Sequence, residues 1–214
     1  MRALPTRLEI LALIGLGIAG CGGAGAQQSP ATAELEALYR ARTESARGRF
    51  TEADVHFVTG MIHHHAQALV MAGWAPTHGA SASVRTLAAR ITNAQQDEIA
   101  LMQRWLEDRA QPVPELMVMN GELMVHGAEH DAPMPGMLTP DQLAELDRAR
   151  GAQFDRLFLT YMIQHHGGAV TMVEQLLAHE GAAQDQAVFK LAADVNVDQT
   201  TEIARMQRML ADLP

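Results

Sequence analysis

Alternating steps of four and three residues mark apolar stripes along four long stretches of the chain, the spacing that gathers side chains on one face of a bundled helix. In the first stretch the stripe is Phe57, Met61, His64, Ala68, Met71 and Ala75, with Val58, Ile62, His65, Leu69 and Ala72 beside it. In the second it is Val84, Leu87, Ile91, Gln95, Glu98, Met102 and Trp105. The third carries Phe154, Phe158, Met162, His165, Ala169, Met172 and Leu176, beside Leu159, Ile163, His166 and Val170. The fourth carries Val188, Leu191, Val195, Gln199, Glu202, Met206 and Met209. His63 falls on the far side of its helix with His56 and Gln67, and is expected to be wet.

Start and stop signals bound these stretches. Thr51 and Asp54 form a T-x-x-D start, and Pro76 follows the end of that helix. Ser81 or Ser83 caps the second, which runs to about Asp108 before Pro112 and Pro114. Thr139-Pro140-Asp141-Gln142 supplies a cap, a first-turn proline and a capping-box partner for the third, with a break at Gly151 and an end near His179 where Gly181 is the C′ residue. The fourth runs from about Gln184 to Leu213, and residues 32–46 read as a shorter leading helix. Residues 110–138 read as a loop or partly ordered crossover, rich in Gly, Pro and Met (Met117, Met119, Met124, Met134, Met137). Gly167-Gly168, inside the third helix, points to close helix contact.

The chain also repeats itself. Asp54, Phe57, Thr59, Met61, Ile62, His64 and His65 recur 101 positions later as Asp155, Phe158, Thr160, Met162, Ile163, His165 and His166. Gln95, Glu98, Ile99, Met102, Gln103 and Arg104 recur 104 positions later as Gln199, Glu202, Ile203, Met206, Gln207 and Arg208. Two copies are too few for a solenoid. Two helical hairpins packed as one all-α four-helix bundle fit instead, with repeat one at 51–109, the crossover at 110–138 and repeat two at 139–213, all within a domain at 32–214.

The first thirty residues have another character. Arg2 and Arg7 precede an apolar run, Ile10 to Ile18, and then Ile18-Ala19-Gly20-Cys21. This is the layout of a bacterial secretory signal, and the placement of Cys21 resembles a lipobox. Residues 1–20 are expected to be a lipoprotein signal peptide, Cys21 the lipidated residue, and 21–31 a flexible tether. The run is short of the ~20 residues a spanning helix needs. An exported protein, anchored by lipid in the cell envelope, is the expectation.

Composition narrows the chemistry. A net charge of −9, with Lys190 as the sole lysine beside fifteen Arg, argues against a phosphate-binding surface, so nucleic acid is not an expected partner. The single cysteine excludes an internal disulfide and a zinc site built on Cys pairs. No nucleophile elbow, phosphate-cradling loop or dinucleotide fingerprint occurs, and no catalytic residue is assigned.

Each repeat nevertheless sets His, Glu, Gln and Met on an otherwise apolar face. A buried Glu is costly unless paired, and His is its obvious partner. Two readings stay open: a polar layer of Glu–His pairs that fixes helix register, or ligands to a metal. Imidazole with thioether is a copper-type donor set, and a Met donor survives in an envelope compartment where a free Cys would oxidise. A Met stripe is also ordinary core filler. In the crossover His126, His130, Met134 and Met137 are candidates for a second metal site, against a polar loop with incidental Met.

The doubled Met-Ile-x-His-His pattern and the later Glu-Ile-x-x-Met block resemble the bacterial family known as domain of unknown function 305, over about residues 34–212. The resemblance implies an exported, ferritin-like four-helix bundle, and the family includes a copper-binding cyanobacterial member. Carried over by position, its signature residues are Met61, His64, His65, Glu98 and Met102, then Met162, His165, His166, Glu202 and Met206. Where the family often has Pro before the His pair, this chain has His63 and Gln164. The expected function is copper (or silver) sequestration or delivery, with a copper ion as the bound group. A metal-free structural or signalling module is the alternative. A di-iron or di-manganese oxidase is disfavoured, because it wants Glu-x-x-His on two helices and none occurs.

Overall fold

The computed structural model describes residues 30–119, 122–127 and 134–213. The expected signal peptide, Cys21 and most of the tether lie outside them, as does His130. Contacts divide the chain into two units, with the division after Arg40. That boundary falls within α1 (Pro30–Arg47), which begins two residues before the expected leading helix.

The second unit holds four long helices: α2 (Glu52–Trp74), α3 (Ala82–Glu107), α5 (Ala152–Ala178) and α6 (Gln186–Ala211). The short α4 (Pro140–Arg148) precedes α5. The caps are those the sequence predicts. Thr51 and Asp54 close a capping box on α2, and Thr139 and Gln142 close one on α4 with Pro140 in its first turn. Ser81 caps α3 and Asp185 caps α6. Gly151 breaks α4 from α5 with φ of 58°, a conformation that suits glycine. His179 caps α5, so Gly181 sits one place beyond the expected C′ position, with φ of 77°.

α2 pairs with α3, α5 with α6, and α2 packs against α5 across the centre. The core falls into two clusters that exchange repeat positions. The first joins Met61 and Met102 of repeat one to Met172, Leu176, Val188 and Leu191 of repeat two. The second joins Met162 and Met206 of repeat two to Met71, Ala75, Val84 and Leu87, the matching positions of repeat one. Two similar hairpins are therefore related by an approximate two-fold exchange, each burying its apolar stripe on the other.

Buried carboxylates lock that exchange. Asp54 of α2 accepts the backbone N–H of Ala183, 2.7 Å away in the loop of the opposite hairpin. Asp155, its repeat partner on α5, accepts the N–H of Ser81 at 3.1 Å in the loop of the first. Each helix start thus holds the other hairpin's turn.

The crossover is more ordered than expected. It contains an antiparallel ribbon, β1 (Glu115–Met119) and β2 (Glu122–His126), with Met117 opposite Met124 and Glu115 opposite His126. β2 lies along α2. The legible signal was two Glu-Leu-Met-Val segments flanking Asn120-Gly121, a dipeptide that favours tight hairpin turns.

Candidate functional site: a histidine layer between two apolar cores

Helical spacing carries both His pairs inward. Met61 precedes His64 by three residues and His65 by four, so all three share one face of α2, and the repeat places Met162, His165 and His166 likewise on α5. All four imidazoles are buried, as are the thioethers of Met61, Met102, Met162 and Met206. The rings of His64 and His165 meet across the α2–α5 contact, centroids 3.9 Å apart and planes tilted by 39°. His65 lies 6.5 Å from His64, and His166 lies 6.2 Å from His165.

Three of the rings are held from behind. His65 Nε2 meets Glu98 Oε2 at 2.7 Å, and His166 Nε2 meets Glu202 Oε2 at the same distance. His64 Nε2 meets the carbonyl oxygen of Pro135 at 3.0 Å. An ionised carboxylate and a carbonyl only accept, so Nε2 carries the proton in each ring and donates it. Nδ1 then bears a lone pair. In all four rings Nδ1 finds no hydrogen-bond partner among the described residues, and in His165 Nε2 finds none either. Such orphaned buried nitrogens are uncommon in folded proteins.

Three of the rings resist protonation. Burial, reinforced by the neighbouring His65, lowers the pKa of His64 to about 3. Burial lowers that of His165 well below the usual value, with His64 and His166 adding to it. Burial also lowers His166, although its hydrogen bond to Glu202 works the other way. His64, His165 and His166 are therefore neutral at pH 7, the protonation state a metal requires.

The two Glu side chains are about one-sixth exposed and stand at the edge of the layer. Partial burial raises the pKa of Asp198 on α6, and so do the carboxylates of Glu98 and Glu202. Glu98 of α3 and Glu202 of α6 thus both act on this one carboxyl. The amides of Gln95 and Gln199, one turn before each Glu, are buried, with both polar atoms of Gln95 and the Oε1 of Gln199 unpaired among the described residues. The seam pattern contained both Gln, but only burial shows them to be polar groups without partners.

The crossover closes the opposite edge. Pro135-Gly136 lies so close to α5 that a Cβ on Gly168 would stand 2.0 Å from the Pro135 oxygen. Gly168 thus admits the crossover backbone, where the sequence pointed to a neighbouring helix, and Gly167 has open space around its Cβ position. Gln67, on the same helix side as His63, is half-buried and grips Leu138 through two hydrogen bonds, one to its oxygen at 3.1 Å and one from its N–H at 2.7 Å. His63 beside it is half-buried and His56 is exposed. On the outer side of Pro135 a cleft of about 970 Å³ is lined by His56, Phe57, Met134, Met172 and His179 among others.

The second predicted group is spread over different surroundings. His126 is exposed at the end of β2, Met137 is half-buried, and Met134 packs against the first core cluster. Among the described residues no group of three or more His, Cys, Asp or Glu side chains is arranged to hold a metal ion. The donors at the centre are instead pairs of imidazoles with thioethers a turn away.

The fold and the layer define a class: a duplicated helical bundle that keeps four imidazoles in a buried seam, three of them steadied by an acceptor from another part of the chain. The chain belongs to the family described as Domain of unknown function (DUF305), which matches residues 54–210. A DUF305 fragment from Deinococcus radiodurans is 32% identical, with a TM-score of 0.63, 77% of this chain covered and 99% of that one. A DUF305 protein from Streptomyces coelicolor, held to be secreted, is 27% identical, with a TM-score of 0.63 over 75% of this chain and 91% of its own. CopM in its Cu(I)-bound form is 27% identical, with a TM-score of 0.55 over 74% of this chain and 96% of its own. CopM has also been solved with Cu(II) and with silver. No curated protein sequence matches the chain. Among the described residues no helix is long and apolar enough to cross a membrane.

Proposed function

We propose that this protein binds copper, in the Cu(I) state, or silver within the histidine layer, and that it sequesters or hands on the ion in the cell envelope. One observation carries the reading. Three buried imidazoles are pinned through Nε2 to acceptors, which leaves Nδ1 lone pairs buried and without a hydrogen-bond partner among the described residues. Metal-binding histidines are held in this way, the far nitrogen donating to a carboxylate or carbonyl that fixes ring and tautomer.

The ligands would be His64, His65, His165 and His166, with the thioethers of Met61, Met102, Met162 and Met206. Glu98 and Glu202 would orient rings from behind and not coordinate. Neutral imidazole and thioether are soft or borderline donors and suit Cu(I). CopM, similar over about three-quarters of the chain, is known with copper and silver bound. The signal-like segment at 1–20 and Cys21 support export and a lipid anchor, and the secretion ascribed to the Streptomyces relative supports export.

The test is a Cu(I) competition titration on the intact protein, alongside thermal unfolding with and without Ag(I). A ligand that binds only the folded state raises stability by about 2.7 kcal/mol when its free concentration is a hundred times Kd. Wild type should gain stability, and a variant with His64, His65, His165 and His166 changed to Asn should gain much less. Equal metal binding by wild type and a folded variant would remove the layer as the site.

The 2.7 Å pairs His65–Glu98 and His166–Glu202 favour a second reading, a metal-free layer that sets helix register in a structural or signalling module. An unfolding temperature indifferent to every soft metal would select it.

A further inference from the structure

The outer face of the β1–β2 ribbon carries chemistry that the histidine layer does not use. Strand residues alternate between faces. Leu116 and Val125 point inward and are half-buried, Leu116 against the first core cluster. Glu115, Met117, Met124 and His126 point outward and are exposed. Met117 is 46% exposed and Met124 43%, and they stand directly opposite one another. Glu115 and His126 form the next cross-strand row.

Two large thioethers facing water are poor choices for a strand surface, which elsewhere favours β-branched or polar residues. They are good choices for a soft ion. Directly opposed strand residues hold their Cβ atoms ~5 Å apart, and flexible methionine chains can bring both sulfurs to one centre. His126 is two residues along β2 from Met124 on the same face, about 7 Å away by strand geometry. The ribbon is also braced at its base. Gln103 Nε2 donates to the Pro114 carbonyl at 2.8 Å. Gly127 adopts φ of +99°, where an added Cβ would lie 2.7 Å from the Val113 oxygen.

We propose that this face is a surface site for a soft monovalent cation, Cu(I) or Ag(I), with Met117 and Met124 as cross-strand donors and His126 as the third. It rests on the metal-binding reading for its ligand class but uses none of the same residues. Exposed where the layer is buried, it is placed to take an ion from solution or from a donor molecule. Thioethers do not protonate, so the Met pair keeps its donors in acid where an imidazole loses its own.

The probe is Ag(I), titrated into the full chain labelled with ¹³C at its methionine methyls and followed by NMR, with bound silver counted by mass spectrometry. Met117 and Met124 methyl signals should shift together. Met117→Leu should weaken silver binding at Met124 by about tenfold or more, and Met117→Leu/Met124→Leu should bind one silver ion fewer while its metal-free unfolding temperature stays that of wild type. Unmoved Met117 and Met124 signals, or an unchanged silver count in the double variant, would overturn the proposal. The layer is read separately, by the Met61 and Met162 signals. Shifts at the ribbon with a silent interior would uphold the surface site and defeat the layer, and the reverse would do the opposite.

Discussion

Gly167 and Gly168 are neighbours in one helix, and the structure assigns them opposite responses to the same added methyl group. At Gly168 an alanine Cβ would stand 2.0 Å from the Pro135 oxygen, 2.4 Å from its carbonyl carbon and 2.6 Å from the Gly136 Cα. All three are backbone atoms, so no side chain can swing aside. The crossover must lift from α5, and the Pro135 carbonyl that accepts from His64 Nε2 moves with it. Overpacking of this kind costs about 1–3 kcal/mol, and a lost hydrogen bond about 1 more, for a total of about 2–4 kcal/mol. In a domain of this size that is a fall in Tm of roughly 5–15 °C. At Gly167 the Cβ meets nothing within 4 Å, so alanine there should stabilise by up to about 1 kcal/mol through helix propensity. Urea unfolding of the two single variants beside wild type measures both. Gly168→Ala as stable as wild type, or both variants shifting in the same direction, would refute the seating of the crossover on α5.

Acid should destabilise the metal-free protein from just below neutrality. His64, His165 and His166 have folded pKa values below the unfolded value, so the unfolded chain takes up protons that the folded one refuses. Their contribution is whole above about pH 6.5 and declines as pH falls, by about 1.4 kcal/mol per unit for each group, until the folded group itself titrates, about pH 3 for His64. Urea midpoints that stay level from pH 7 to pH 5 would contradict this. Asp54→Ala strands the Ala183 N–H and breaks the α2 cap, and should cost about 2–4 kcal/mol. Asp155→Ala should cost about 1–3 kcal/mol through Ser81, and the two losses should add, because they lie at separate loops. Strong non-additivity in chemical unfolding would show that the two turns are not independent locks. Arg109 is buried against the Asp185 carboxylate, which also accepts from Trp105 Nε1 at 3.3 Å, and its guanidinium lies 4.3 Å from the Trp105 ring. Arg109→Met should therefore cost about 3 kcal/mol, and a loss under about 1 kcal/mol would mean that the α6 cap donors alone satisfy Asp185.

Much of the architecture was legible because helices write their packing in a short period. The stripes through Phe57, Met61 and His64, and through Phe158, Met162 and His165, needed only the 3.6-residue turn, and the caps at Thr51, Ser81 and Thr139 needed only neighbours three residues away. The internal repeat then paired the hairpins and placed both His-His motifs inside. The composition of the crossover drew attention to its Met, Gly and Pro residues and away from its Asn-Gly hairpin signal.

What tertiary structure alone decided is which distant groups meet. Local spacing placed His64 on a buried face but said nothing of Pro135, 71 residues away, whose carbonyl sets its tautomer. It could not seat that loop in the gap left by Gly168, or bring the Gln67 amide to Leu138, 71 residues away. Periodicity repeats along one helix and can be counted from residue to residue. The partner of a buried ring nitrogen depends on how separate segments fill the same space, and no local pattern encodes that.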